Sequence, residues 1–162
     1  MAAQREREQR FSDRMTDHEA LMWNVEKDPW LNPSGASLTI LDGKIDDAHF
    51  RRVLRNAAAK MPRLRERVVP GLGRLAPPAW VPDPEFDLDY HMRRIRLPKP
   101  GTERELLDLA TLVTADPFDR TRPLWQFIVV EGLKGNRAAL IEKLKGQPLF
   151  GHITLEKSVR SP

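Results

Sequence analysis

Histidine is the side chain here best suited to move a proton near neutral pH, and its four copies, His18, His49, His91 and His152, stand far apart. Their spacing includes no HExxH and no paired ligand set, so it offers no zinc site. One of them invites a catalytic reading: Asp89-Tyr90-His91 places a carboxylate two residues from an imidazole. No serine or cysteine is positioned by sequence to complete a triad, which is defined by geometry rather than adjacency. We therefore read His91 as a hydrogen-bonded strand histidine, and His18 and His49 as surface residues on helices with charged neighbours. The other notable cluster is Asp119 and Arg120 followed by Arg122-Pro123-Leu124-Trp125. Its proline opens a strand and its large apolar side chains suit a core. Asp119, Arg120 and Arg122 are expected to form ion pairs that fix the loop, each worth only ~0–1 kcal/mol if exposed.

The elements that must position these residues follow from pattern. Thr16-x-x-Glu19 is a capping box that opens a helix, and Asp28-Pro29 ends it. Within that region Met22, Trp23 and Trp30 read as core plus one loop aromatic, with lipid contact as the alternative. Residues 36–41 are strand-like, and Asp42-Gly43 signals a turn. Asp46 caps a helix over 46–60, in which Phe50, Val53, Leu54, Ala57 and Ala58 recur at helical spacing before Pro62 stops it. Short strands are expected at 63–69 and 79–81, and a half-buried strand at 88–97. A second capping box, Thr102-x-x-Glu105, starts a helix running to about Thr114. Strands at 125–130 and 138–144 are joined by 131–137, a short connection that predicts antiparallel neighbours. The order of elements gives an α/β class with a mixed sheet.

Composition narrows the function. The 162 residues fit one domain or one lobe of a larger one. Cysteine is absent, which removes disulfides and thiolate metal sites and suits the cytosol. No apolar run reaches the roughly 20 residues that span a bilayer, and the charged start MAAQREREQR is no signal peptide, so 1–13 reads as a solvated lead-in. Net charge is +4, with basic residues concentrated in 51–74 and 93–96. These runs read as solvated faces, or as contacts to anionic lipid or a cofactor phosphate. Nucleic acid is not expected as a partner, because the aromatics do not interleave with the arginines as a stacking platform requires.

Several segments together resemble the bacterial wax ester synthase / diacylglycerol acyltransferase family. WVPDPEFDLDYHMRRIRLPKPGTERELLDLA at 80–110 and PFDRTRPLWQFIVVEGLKGNRAALIEKL at 117–144 carry most of the likeness. DHEALMWNVE at 17–26 and IDDAHFRRVLRNAAAKMPRLRERVV at 45–69 extend it, so that it covers 14–144. The resemblance implies a chloramphenicol-acetyltransferase-like, condensation-domain-like N-terminal lobe: a mixed sheet with flanking helices. It implies transfer of a fatty acyl group from acyl-CoA, a co-substrate rather than a bound cofactor, to diacylglycerol or a long-chain alcohol. It also implies a cytoplasmic protein, peripheral to a membrane or lipid body. In the family Arg122, Pro123, Leu124 and Trp125 lie near the tunnel and shape its pocket, a role that stands beside their reading as core.

The family's base is the second histidine of an HHxxxDG motif directly after a strand like ALIEKL. Here Leu144 is followed by Lys145-Gly146, and no Asp or Gly follows His152 at motif distance. No catalytic residue is therefore carried over. The expectation is an N-terminal lobe, inactive alone, with 145–162 an aberrant tail from a reading-frame change or a truncated gene copy. HITLEKSV alternates well enough to be a genuine strand, the other reading of that tail. A non-catalytic lobe that binds lipid or protein is the alternative function.

Overall fold

The computed structural model describes residues 13–25, 31, 34–72 and 76–145. Helix α1, Asp17–Val25, begins at the expected capping box: Glu19 Oε2 accepts from Thr16 N at 2.8 Å, and Thr16 Oγ1 from Glu19 N at 3.3 Å. Strand β1 is Gly35–Asp42. Helix α2, Asp47–Lys60, is capped by Asp46, whose carboxylate accepts from His49 N at 3.3 Å. Pro62–Arg65 is a 3₁₀ turn leading into β2, Glu66–Val69, so the strand expected at 63–69 forms only in its second part. Strand β3, Ala79–Pro82, pairs with β2 as a separate two-stranded sheet. Residues 13–15 join that sheet's outer edge through Trp80 N to Asp13 O, 2.6 Å, and Met15 N to Pro78 O, 2.9 Å.

The strand expected at 88–97 divides in two. Leu88–His91 is a helical turn, α3, capped by the Asp87 carboxylate, which accepts from Asp89 N at 3.0 Å. Strand β4 is Met92–Arg96. Helix α4, Glu103–Ala115, has the complete capping box of Thr102 and Glu105. Strands β5, Trp125–Leu133, and β6, Arg137–Leu144, form the predicted antiparallel hairpin. Its strands run longer and its turn is tighter than the sequence suggested. Gly132 lies in β5 at a register shift rather than in the turn. There φ is +84°, and a Cβ would meet Leu97 O at 3.0 Å. Gly101, with φ +68°, approaches the Gly132 carbonyl so closely that any side chain would collide with it.

The main sheet has the order β1-β6-β5-β4, antiparallel except for parallel β4 and β5, which α4 connects. It is a mixed sheet covered on both faces. Phe50, Leu54 and Ala58 of α2 pack on Phe127, Val129 and Leu140, with the Phe50 and Phe127 rings edge to face at 5.7 Å. Leu106 of α4 packs on the other face against Ile128, Val130, Ala139 and Ile141. The central strands are apolar on both sides because helices cover both, hence the continuous run FIVV rather than an alternation.

Leu106 is fully enclosed and its neighbour Leu107 is 53% exposed. Leu106→Ala should therefore cost ~2–5 kcal/mol, and Leu107→Ala less than about 0.5 kcal/mol. Urea denaturation of the two variants checks the difference, and equal losses would mean that α4 is turned the other way.

Candidate functional site

Arg122-Pro123-Leu124-Trp125 enters β5 beside the end of β6. Pro123, Leu124 and Trp125 are all buried, with Trp125 only 2% exposed. Leu124 O accepts from Lys145 N at 3.1 Å, which ties the motif's main chain to the first residue after β6. The Trp125 indole N–H donates to Leu64 O at 2.8 Å, reaching the 3₁₀ turn after α2. Its ring stacks on His91 at 4.2 Å and 18°, and His91 stacks in turn on Phe86 at 5.4 Å and 22°.

His91 is fully buried, and its Nδ1 lies 2.8 Å from Trp125 O. A carbonyl only accepts, so Nδ1 carries the proton and Nε2 the lone pair. Nε2 has no hydrogen-bond partner. Burial pushes the imidazole below its usual range, outweighing the hydrogen bond to Trp125 and the attraction of Asp83 and Asp87, while Arg122 adds to the depression. His91 is thus a hydrogen-bonded structural residue, but it closes a helical turn ahead of the strand. The adjacent Asp89 is not its partner: that carboxylate pairs with Arg51. His18 is exposed on α1, whereas His49 is half-buried and accepts from Arg52 Nη2 at 2.8 Å. His152 lies outside the described residues.

The expected mutual pairing of Asp119, Arg120 and Arg122 does not occur: Asp119 is held chiefly within its own loop, and the two arginines are bound to other segments. Asp119 accepts from Thr121 N at 2.9 Å, Thr121 Oγ1 at 2.6 Å and Tyr90 OH at 3.3 Å, and the Thr121 bonds hold its carboxyl below the usual range. Arg120 donates to Trp23 O at 3.0 Å and lies 3.5 Å over the Trp23 ring. Arg122 donates to Glu85 O at 2.7 Å and pairs with the Glu85 carboxylate at 3.2 Å. Asp83 Oδ2 is a further 3.5 Å contact of Arg122, close enough for attraction but not aligned as a hydrogen bond. Trp23 is core, as expected, and Met22 is half-buried; Trp30 lies outside the described residues.

Two lysines at the end of β6 escaped the sequence reading. Lys143 is 1% exposed; its ammonium donates to Asp116 O at the C-terminal end of α4 and lies 4.5 Å from the Phe118 ring. Helix α4 has no basic residue in its last turn, so a strand lysine supplies the positive charge there. Burial lowers the Lys143 ammonium and takes that of Lys145, 4.8 Å from the Trp23 ring, down to about 8. The signal was available: strict alternation puts Ala139, Ile141 and Lys143 on the face that α4 covers. Among the described residues no cluster of His, Asp and Glu is arranged to hold a metal, and no helix is long and apolar enough to cross a membrane.

Comparison with known proteins settles the family. Residues 9–145 match the wax ester synthase/diacylglycerol acyltransferase catalytic domain. The chain belongs to this family. A putative diacylglycerol O-acyltransferase of Mycobacterium tuberculosis is 41% identical over 132 residues, which cover 82% of this chain and 27% of that protein. The chain thus spans about a quarter of that relative's length. The solved wax ester synthase/diacylglycerol acyltransferase of Marinobacter aquaeolei VT8 superposes with a TM-score of 0.65 at 26% identity, over 82% of this chain and 34% of that one. The first condensation domain of the calcium-dependent antibiotic synthetase has the same fold, with a TM-score of 0.64 at 21% identity over 81% of this chain and 32% of that one. The architecture is therefore the condensation-domain-like, chloramphenicol-acetyltransferase-like one that the resemblance implied.

The depressed His91 has a sign that can be checked. As pH falls past about 6.5, the unfolded chain takes the proton first. The stability contributed by neutral His91 is complete above that pH and is lost as pH falls through the folded value. Urea midpoints should drop more between about pH 7 and about pH 5 in the wild type than in His91→Asn, which cannot titrate. Equal drops would place the imidazole in water.

Proposed function

We propose that this chain is the N-terminal lobe of an O-acyltransferase that moves a fatty acyl group from acyl-CoA to diacylglycerol or a long-chain alcohol. Its main support is the family match together with one contact: the Arg122–Trp125 turn is hydrogen-bonded to Lys145, at the position where the family's histidine motif should begin. In this reading residues 14–144 are the acyltransferase part. Arg122, Pro123, Leu124 and Trp125 shape the pocket wall by fixing the main chain of two strand ends. Pro123, Leu124 and Trp125 do so from inside the core, while Arg122 anchors the turn to Glu85.

Acyl transfer requires a base for the acceptor hydroxyl as it attacks the thioester carbonyl. His91 is enclosed by aromatic rings, and His49 is tied to Arg52, so neither presents a lone pair to a substrate. His18 is exposed on α1 with no carboxylate hydrogen bond to orient it. Among the described residues no histidine is placed to act as that base, and no Asp or Gly follows His152 at motif distance, so in this reading the base comes from elsewhere and the lobe is inactive alone. Because both substrates are lipidic, we place the protein in the cytoplasm at the surface of a membrane or lipid body. A second reading, a non-catalytic lobe that binds lipid or protein, is favoured by an open groove of about 480 Å³ along α4 and β1, lined by Leu38, Leu107, Ala110 and Ile141.

Purified chain given long-chain acyl-CoA and diacylglycerol should form no detectable triacylglycerol. Turnover that survives both His91→Ala and His152→Ala would contradict this account of the missing base. Saturable acyl-CoA binding, abolished by a charged residue at Leu38, would instead favour the binding lobe.

A further inference from the structure

Beside the turn of the β5–β6 hairpin lies a pocket of about 230 Å³ that neither functional reading uses. Among the described residues three cations line it, each from a different element: Lys44 ahead of α2, Arg96 at the end of β4 and Arg137 at the start of β6. Glu131 is the one carboxylate among the described lining residues, and Asn136 adds an amide from the turn. Gly132 keeps the space open, since a Cβ there would meet Arg96 Cγ at 3.4 Å.

Like charges gathered in a concave site repel one another and favour an anion between them. Glu131 does not meet that need alone, because Arg94 shares it from outside the pocket. Arg96 gives Glu131 only its Nη2, at 2.9 Å. Arg137 donates Nε to Lys134 O at 3.0 Å and Nη1 to Glu103 at 2.9 Å, which leaves Nη2. Lys44 has no hydrogen bond or ion pair among the described residues. The neighbouring acids are engaged elsewhere, Asp47 with Arg51 and Arg94 and Asp46 at the α2 cap. Asp42, level with Arg137 on β1, does not line the pocket.

We propose that this pocket binds a phosphate group, carried by a soluble molecule or by a lipid headgroup. Its oxygens accept from the Lys44 ammonium and from the two guanidinium forks, donors that suit phosphate. The site stands at the opposite end of β6 from Lys145, about 25 Å away along the eight residues of that strand. It is separate from the Arg122–Trp125 turn and does not depend on acyl transfer.

The test is an NMR titration of the full chain with inorganic phosphate at low ionic strength, following the backbone amides of Lys44, Arg96 and Arg137. These should move together and saturate. Lys44→Ala and Arg96→Ala should each weaken binding roughly threefold to tenfold, between an exposed ion pair and a charge-assisted hydrogen bond. Both side chains are exposed, so neither variant threatens the fold. Lys134→Ala, which removes an exposed lysine of the same turn outside the pocket, should leave binding unchanged. Sedimentation with phosphatidylcholine vesicles, with and without phosphatidic acid, separates the two sources. Capture that needs both phosphatidic acid and Lys44 assigns the lipid headgroup, and saturable phosphate binding without capture assigns a soluble phosphate. Shifts that never saturate would overturn the proposal. So would equal weakening by Lys134→Ala and Lys44→Ala, which would reduce the pocket to diffuse surface charge.

Discussion

The indole of Trp125 joins parts of the chain that are remote in sequence, and the rest of the lobe depends on that junction. Its N–H bonds Leu64, 61 residues away, and its carbonyl bonds His91, 34 residues away. One residue therefore fixes the 3₁₀ turn after α2, the helical turn before β4 and the first position of β5. Few buried side chains can hold three elements in this way. Tryptophan combines a large apolar ring with a single donor, and here a stacked histidine covers one face of that ring.

Charge is arranged around this junction by position rather than by number. The basic runs that look unpaired in sequence find acids in the fold: Arg51 bonds Asp47 and Asp89, Arg94 bonds Asp47 and Glu131, and Arg96 bonds Glu131. These pairs are largely exposed and each contributes at most about 1 kcal/mol; their effect is to orient the start of α2 against β4 and β5. Asp47, bonded to both Arg51 and Arg94, is held below the usual carboxylate range. The buried lysines differ. Lys143 offsets its desolvation through a helix-end carbonyl and an aromatic ring, and so couples β6 to the end of α4.

What could be read from the sequence was what local interactions decide. Both capping boxes, the Asp46 cap and the β5–β6 hairpin depend on residues a few positions apart, and each appears where the pattern put it. The turn at Leu88–His91 was hidden because its alternating residues suit a strand. It is helical because Asp87 caps it and because His91 must reach Trp125. The partners of Arg120 and Arg122 and the Tyr90 bond of Asp119 were hidden because they are remote: Trp23, Glu85 and Tyr90 are 97, 37 and 29 residues distant. Family membership was legible because the likeness runs through most of the chain, and the match over 9–145 establishes it.

The central structural claim is that the Arg122–Trp125 turn is a fixed joint of the core, and hydrogen exchange tests it most directly. The Trp125 indole N–H is buried and bonded to Leu64 O. It should exchange only when the whole lobe unfolds, with a protection free energy equal to the global stability from urea denaturation. Exchange well below that limit, through local opening while the amides of β5 and β6 stay protected, would contradict the account and make the turn a mobile wall.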